Sequence, residues 1–300
     1  MKIDRRKVFG VFGLILCFAF SILAQNSKPK TIIFGVLNDG STLEPIAFVE
    51  KGKLTPTVNG SDESTIIAAF NKTYYKPKTV YSLIFGGVKA GSVTVKSSDP
   101  KSECAANMAN VTFQSTKAKL KGLVMALATN GAVKSATTGL RRLPTAAERA
   151  QIETLVRAEF TKQKVAANAQ KNLHYHNLTA LDVNSDGSAE LVGSYWVETS
   201  KTERALLFFI ADKNKSGKYA LDFSEFKAIK ESEVMSGEIK HVDEGIYNEL
   251  LLDVFDYDGD GTGEIFTYVQ SFEGSGFNVY RREDGEWAKS FEGSNYHCGY

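Results

Sequence analysis

Two short stretches in the second half of the chain constrain its fold more than anything else: Leu181-Asp-Val-Asn-Ser-Asp-Gly-Ser-Ala-Glu-Leu-Val192 and Phe255-Asp-Tyr-Asp-Gly-Asp-Gly-Thr-Gly-Glu-Ile-Phe266. Laid over each other, they put an oxygen side chain at loop positions 1, 3, 5 and 9 and a glycine at position 6. The first set is Asp182, Asn184, Asp186 and Glu190 with Gly187; the second is Asp256, Asp258, Asp260 and Glu264 with Gly261. A hard cation such as calcium takes about six to eight oxygens on a small sphere. Alternate side chains of a tightly curled loop supply them when a glycine permits the bend and a backbone carbonyl fills position 7, here Ser188 or Thr262. The pattern is that of a calcium loop, used twice.

An EF-hand would continue into a helix and close the sphere with a glutamate at position 12, but those positions hold Gly193 and Thr267. A β-rich run follows each loop instead, Leu-Val-Gly-Ser-Tyr-Trp-Val after the first and Ile-Phe-Thr-Tyr-Val-Gln after the second, so position 9 sits at the start of a strand. The competing explanation is a pair of Asp-Gly-rich hairpin turns, for which one Asp-Gly pair each would suffice.

Strand, Asp-x-Asp/Asn-x-Asp-Gly-x-x-Glu, apolar strand resembles the repeats of the FG-GAP and VCBS families, over roughly the last 130 residues. The resemblance implies calcium loops within blade-like antiparallel units, often in exported surface or adhesion proteins. It implies metal ligands and nothing catalytic.

The N-terminus points the same way. Met-Lys-Ile-Asp-Arg-Arg-Lys runs into the uncharged stretch Val8 to Leu23. At about 1.5 Å per residue that run reaches roughly 24 Å, short of the roughly 30 Å of a bilayer core. A basic start, an apolar middle and Ala24 read as a secretory signal peptide over residues 1–24; an uncleaved membrane anchor is the alternative. Arg5-Arg6-Lys7 also has a twin-arginine look and Cys17 could mark lipidation, although Leu16 before it is bulky. The sequence thus predicts a secreted or periplasmic protein with no membrane span after cleavage. Removing four basic residues and one acid with the leader takes the formal charge from +1 to −2, leaving no basic field for nucleic acid. Two cysteines remain, Cys104 and Cys298, a possible disulfide in an oxidising compartment or else two free thiols.

Beyond the leader, residues 25–143 read as a β-rich domain. Thr31 to Leu37 and Pro45 to Glu50 flank Asn38-Asp39-Gly40; Thr79 to Phe85 and Ser92 to Lys96 flank Gly86-Gly87 and Gly91; Leu120 to Ala128 ends at Asn130-Gly131. Acids at 62 and 63 open a short helix with apolar residues at 66, 67 and 70. Residues 144–171 give the central helix and a linker: Thr145 and Glu148 form a capping box, and Ile152, Leu155, Val156 and Phe160 share one face. Residues 172–300 divide into two units of about 50 residues, each a four-stranded antiparallel meander of blade size carrying one loop. Two blades do not close a propeller, so either the N-terminal hairpins complete a barrel or propeller-like body, or the sheets pack as a sandwich. The fold class is mainly β (α+β).

Other candidate sites are weaker. Asp212, Asn214, Ser216 and Gly217 imitate the loop pattern, but position 9 is Ala220, which leaves a plain turn. His174 and His176 share one face of a strand without an evident third zinc ligand. There is no Gly-x-Ser-x-Gly, and Gly86-Gly87 lacks the lysine and helix of a phosphate loop. Carboxylates are abundant enough for a glycosidase pair. Two functions follow as expectations: a calcium-binding structural or surface-binding protein whose partner is an unknown surface ligand or protein, or an exported hydrolase using carboxylates on a β scaffold.

Overall fold

The apolar run Thr31–Leu37 forms β1 and turns through Asn38-Asp39-Gly40, all three with positive φ, into β2 (Thr42–Glu50). The structure is a computed structural model that describes residues 28–134, 140–234, 241–271 and 273–298. The leader expected over residues 1–24 lies outside the described residues. Among the described residues no helix is long and apolar enough to cross a membrane.

After β3 (Lys53–Pro56) and helix α1 (Ser64–Tyr74) come β4 (Val80–Phe85), β5 (Val88–Ser98), β6 (Ala109–Ser115) and β7 (Ala126–Thr129). They run in the order β1-β7-β4-β5-β6-β2-β3, and β1 also pairs with β2, so six antiparallel strands close into a barrel. The N-terminal hairpins therefore form a barrel of their own and do not complete one with the later units. Ile32, Phe34, Leu83, Val93 and Val111 fill its interior, joined by Ile67, Phe70 and Tyr74 of α1. The helical stripe is thus 67, 70, 71 and 74, and Ile66, which the sequence placed on it, is 50% exposed. Two other departures are local. Of the strand read over Leu120 to Ala128 only the end is a strand, and β3 and β6 have no counterpart in the sequence reading.

In the second half, β8 (Arg141–Arg142) precedes the central helix α2 (Ala146–Lys162), followed by β9 (His174–Leu181), β10 (Glu190–Ser200), β11 (Glu203–Lys213) and β12 (Tyr219–Lys230). These strands form one antiparallel sheet in the order β12-β11-β10-β9-β8. The last sheet is the meander β13 (Glu249–Phe255), β14 (Glu264–Gln270), β15 (Gly274–Glu283) and β16 (Glu286–Tyr296). Both are the four-stranded units read from the sequence, the first with a two-residue fifth strand contributed from before the helix.

The capping box of α2 is formed: Thr145 Oγ1 accepts from the Glu148 amide at 3.2 Å and Glu148 Oε2 from the Thr145 amide at 2.7 Å. Ile152, Val156 and Phe160 of α2 are fully buried against Leu178, Tyr195, Val197, Leu207 and Phe209 of the first sheet. The opposite face of that sheet, with Leu181, Val192, Phe208 and Ile210, packs on Leu251, Val254, Ile265 and Tyr280 of the last sheet. The last sheet's other face, with Leu252, Phe255, Phe266 and Val279, packs on Ile33, Ile84 and Leu127 from the outer wall of the barrel. The layers are barrel, last sheet, first sheet, helix. This explains why β13 reads as Leu-Leu-Leu-Asp-Val-Phe without alternation, since both of its faces are covered.

Cys104, between β5 and β6, is disulfide-bonded to Cys298 just beyond β16, with Cα atoms 4.8 Å apart. Nearby, Glu44 of β2 is fully buried and its Oε1 accepts from Asn295 Nδ2 at 2.8 Å and contacts His297 Nε2 at 2.7 Å. The C-terminal strand is thus fastened to the barrel by both covalent and polar links.

Candidate metal centre

Each acidic stretch links two paired strands, β9 to β10 and β13 to β14, so its ends are fixed by the ladder. Within that frame both loops adopt the same hydrogen-bonded scaffold. The position 1 carboxylate accepts from the position 6 amide, Asp182 from Gly187 at 3.0 Å and Asp256 from Gly261 at 3.2 Å. Position 3 accepts from the position 5 amide, Asn184 from Asp186 and Asp258 from Asp260, both at 3.1 Å. Position 5 accepts from position 7, Asp186 from Ser188 at 2.6 Å and Asp260 from Thr262 at 2.8 Å. Position 9 reaches back to the position 2 amide, Glu190 to Val183 at 3.0 Å and Glu264 to Tyr257 at 3.4 Å. Four equivalent bonds in two loops 74 residues apart make them one device used twice.

Glycine is needed at position 6 for conformation rather than for space. Gly187 and Gly261 have φ of +80° and +98°, and a Cβ added at either would meet nothing within 4 Å. Position 4 is left-handed too, at Ser185 (φ 60°) and Gly259 (φ 82°).

The second loop is the more concentrated site. Asp256, Asp258 and Asp260 each offer a carboxylate oxygen, and these oxygens lie within 4.8 Å of one another. That spread matches oxygens on opposite sides of a calcium ion bonded at about 2.3–2.6 Å. Among the described residues this is the one group of three or more His, Cys, Asp or Glu side chains close enough to hold a metal. In the first loop an amide, Asn184, stands at position 3, so that loop brings one carboxylate fewer to the same scaffold. Ser188 and Thr262 are placed by their amides at the turn of each loop.

The position 9 glutamates are nearly inaccessible, Glu190 at 4% and Glu264 at 1%. Burial pushes the Glu264 carboxyl up to about 8, helped by the charges of Asp258 and Asp260, and burial pushes Glu190 up to about 6. Two cations lean on the second loop. Arg281 of β15 gives Nη1 to Asp258 Oδ2 at 2.8 Å and Nη2 to Asp260 Oδ2 at 3.0 Å, and its Nε lies 4.0 Å from Glu264 Oε1. Lys134 pairs with Asp256. Among the described residues no lysine or arginine is in ion-pair contact with Asp182, Asp186 or Glu190.

The sheet packing sets the two loops face to face. The Gly263 amide of the second donates to the Val183 carbonyl of the first at 2.7 Å. Together they border a cleft of about 640 Å³ lined by Asp182, Asp256, Lys134, Val254 and the Gly86-Gly87 turn of the barrel. Sequence reasoning missed Arg281, Lys134 and this juxtaposition. The register of β15 against β14 was the one signal that could have found Arg281.

The other candidates resolve differently. Asp212 turns from its loop to accept from Trp287 Nε1 at 3.2 Å and to pair with Arg282, while Asn214 Oδ1 caps the turn by accepting from the Ser216 and Lys218 amides. His176 Nε2 accepts from Trp196 Nε1 at 3.1 Å and His174 stacks on the same indole, so the pair is joined to Trp196. The rings of Tyr195, Phe208, Phe209, Phe266 and Trp287 are all buried in the layers between sheets, helix and barrel.

The chain matches no protein-family model, no curated protein and no solved structure.

Proposed function

We propose that this is an exported protein whose two acidic loops bind calcium, and that the ions rigidify a β scaffold serving a structural or surface-binding role. The observation that carries the reading is the repeated loop scaffold, in which Asp256, Asp258 and Asp260 converge and Glu264 is held in reserve behind them. Asp182, Asn184, Asp186, Ser188 and Glu190 would hold one ion; Asp256, Asp258, Asp260, Thr262 and Glu264 would hold the other. A bound ion supplies positive charge at the centre of the converging oxygens, which Arg281 and Lys134 approach from outside. The all-oxygen donor set favours a hard cation over zinc or copper. The FG-GAP and VCBS resemblance supports the same reading through the loop motif, and export is supported by the sequence of residues 1–24.

An ion that binds only the folded state stabilises by about 2.7 kcal/mol per site when its free concentration is about 100 times the dissociation constant. Loops of extracellular modules bind with dissociation constants of about 10⁻⁴ to 10⁻³ M, which suits an external milieu. A binding role is favoured over hydrolysis because the carboxylates at the cleft, Asp182 and Asp256, already belong to the two sets assigned to the ions. The test is thermal melting of the chain lacking residues 1–24 in calcium, magnesium and chelator. A calcium-selective rise that disappears in Asp186→Ala plus Asp260→Ala supports the reading. Melting that is indifferent to calcium up to millimolar concentrations overturns it.

A further inference from the structure

The two loops differ in what stands across the sheet from their buried glutamate. In the last sheet Ile265 pairs with Tyr280, so one residue further along the ladder Glu264 faces Arg281. In the first sheet Leu191 pairs with Ala211, so Glu190 faces Asp212. The same position in two equivalent hairpins is therefore a guanidinium in one and a carboxylate in the other. Asp212 is not available to its loop, being bound to Arg282 and Trp287. Arg281 is committed to its loop: two of its nitrogens hold the position 3 and position 5 carboxylates at 2.8 and 3.0 Å.

The guanidinium lies where a cation for this loop would lie. It contacts two of the three converging aspartates, and its remaining nitrogen faces Glu264. Glu264 stands behind the fork, buried and held by its own loop. Its carboxylate is 1% exposed, Oε2 takes one long bond from Tyr257 at 3.4 Å, and its nearest cation is 4.0 Å from Oε1. The site as it stands has two carboxylates paired by Arg281, with Glu264 beyond its hydrogen-bond reach. Arginine cannot complete it: its planar fork matches two carboxylates side by side, whereas a spherical ion takes oxygens from all directions.

We propose that Arg281 is a built-in counter-cation of the second loop, which calcium must displace from Asp258 and Asp260 in order to bind. This rests on the calcium reading given above. Without an ion, Arg281 keeps Asp258 and Asp260 from repelling one another, and Lys134 balances Asp256. When an ion enters, the guanidinium swings off the loop and its charge is released toward solvent. The second loop, despite its extra carboxylate, is thereby weakened relative to its intrinsic affinity, while the first loop has no such competitor in contact among the described residues. Displacing a guanidinium also releases a cation from the binding face, so added sodium chloride weakens the Arg281 pair and partly offsets its own screening of calcium.

The experiment is calorimetric titration of calcium chloride into the full chain without residues 1–24, comparing wild type with Arg281→Gln and Arg281→Lys. Arg281→Gln is expected to tighten one of two sites on the order of tenfold, the cost of a bidentate charged pair, and to leave the other unchanged. Arg281→Lys, which keeps the charge but loses the fork, falls between them. Adding Asp258→Asn to Arg281→Gln abolishes the gain if the tightened site is the second loop. Calcium binding by the wild type with no tightening in Arg281→Gln overturns the counter-cation while leaving the calcium reading intact. Absence of binding in every variant, each folded by far-ultraviolet circular dichroism, overturns both.

Discussion

The guanidinium of Arg141 and the carboxylate of Asp253 meet at 2.8 Å at the point where barrel, first sheet and last sheet converge. Both side chains are almost completely buried, at 5% and 0% exposure. Arg141 Nη1 also donates to the carbonyls of Met125 at 2.9 Å and Leu252 at 2.7 Å, and Asp253 accepts from the Gly86 amide at 2.9 Å and the Gly87 amide at 3.2 Å. One ion pair therefore ties the β4–β5 turn and the residue just before β7 to β13 and the short strand β8.

Because the pair is fully bonded, removing one partner leaves the other charged and buried without compensation. Asp253→Ala or Arg141→Ala is expected to cost about 3–5 kcal/mol, whereas replacing both by apolar residues of similar volume costs much less. Urea unfolding of the two single variants and the double variant checks this. Additive losses would mean that the pair does not act as a unit.

Acidity should affect the two states of the second loop in opposite senses. In the ion-free protein Glu264 holds a proton up to about pH 8, while in the unfolded chain it releases one near 4.5. Between those values the folded state binds more protons, so stability falls as pH rises from about 4.5 to 8, with Glu190 contributing up to about 6. Calcium requires the ionised carboxylate, so the stabilisation it gives grows over the same interval. Urea midpoints measured from pH 5 to 8.5 with chelator and with calcium should diverge. Glu264→Gln should flatten the ion-free curve above pH 6.

Most of the secondary structure was legible because it depends on local chemistry. Thr145 and Glu148 announce the start of α2, and Asn38-Asp39-Gly40 and Gly86-Gly87 supply the positive φ that their turns require. The loops were legible for the same reason, since each is built from contacts within nine residues. What could not be read was anything that depends on pairing over long distances. Barrel closure needs β1 to meet both β2 and β7, and β7 is four residues of Ala-Leu-Ala-Thr with no strand signature. Arg281 sits on β15 with the periodicity of any polar strand residue, and only the register opposite Glu264 gives it a role. Ile66 was misplaced because a run of two isoleucines fits a helical stripe in either of two phases, and packing inside the barrel selects Ile67.

The disulfide should be worth more than its exposed position suggests. Cys104 and Cys298 are 194 residues apart, so the bond closes about two thirds of the chain into one loop. Replacing both by serine is expected to lower stability by about 2–5 kcal/mol, mainly by freeing the unfolded ensemble. Melting under oxidising conditions compared with the double variant measures it, and a mass shift of two hydrogens on reduction confirms the bond. The polar links through Glu44, Asn295 and His297 predict that β16 stays in place in the variant, so the loss should appear as a lower melting point without a change in native circular dichroism.

Two glycines, Gly261 and Gly263, with one residue between them separate the conformational requirement of the second loop from its packing requirement. Gly261 is left-handed at φ +98° with open space around it, so Gly261→Ala strains the backbone without a clash and is expected to cost about 1–2 kcal/mol. At Gly263 a Cβ would lie 2.4 Å from Val254 Cγ2 and 3.4 Å from the Val183 carbonyl oxygen, the acceptor that joins the loops. Gly263→Ala must push the loop away from both, losing the bond between the loops as well as the packing at Val254. Its cost should exceed that of Gly261→Ala, and Val254→Ala, by clearing the space, should recover part of it in the double variant. Exchange of the amide at position 263 is the decisive readout: it should be fast in Gly263→Ala, where the bond to Val183 is lost, and slow in Gly261→Ala, where it is kept; fast exchange in both would show that strain at Gly261 reaches the contact between the loops.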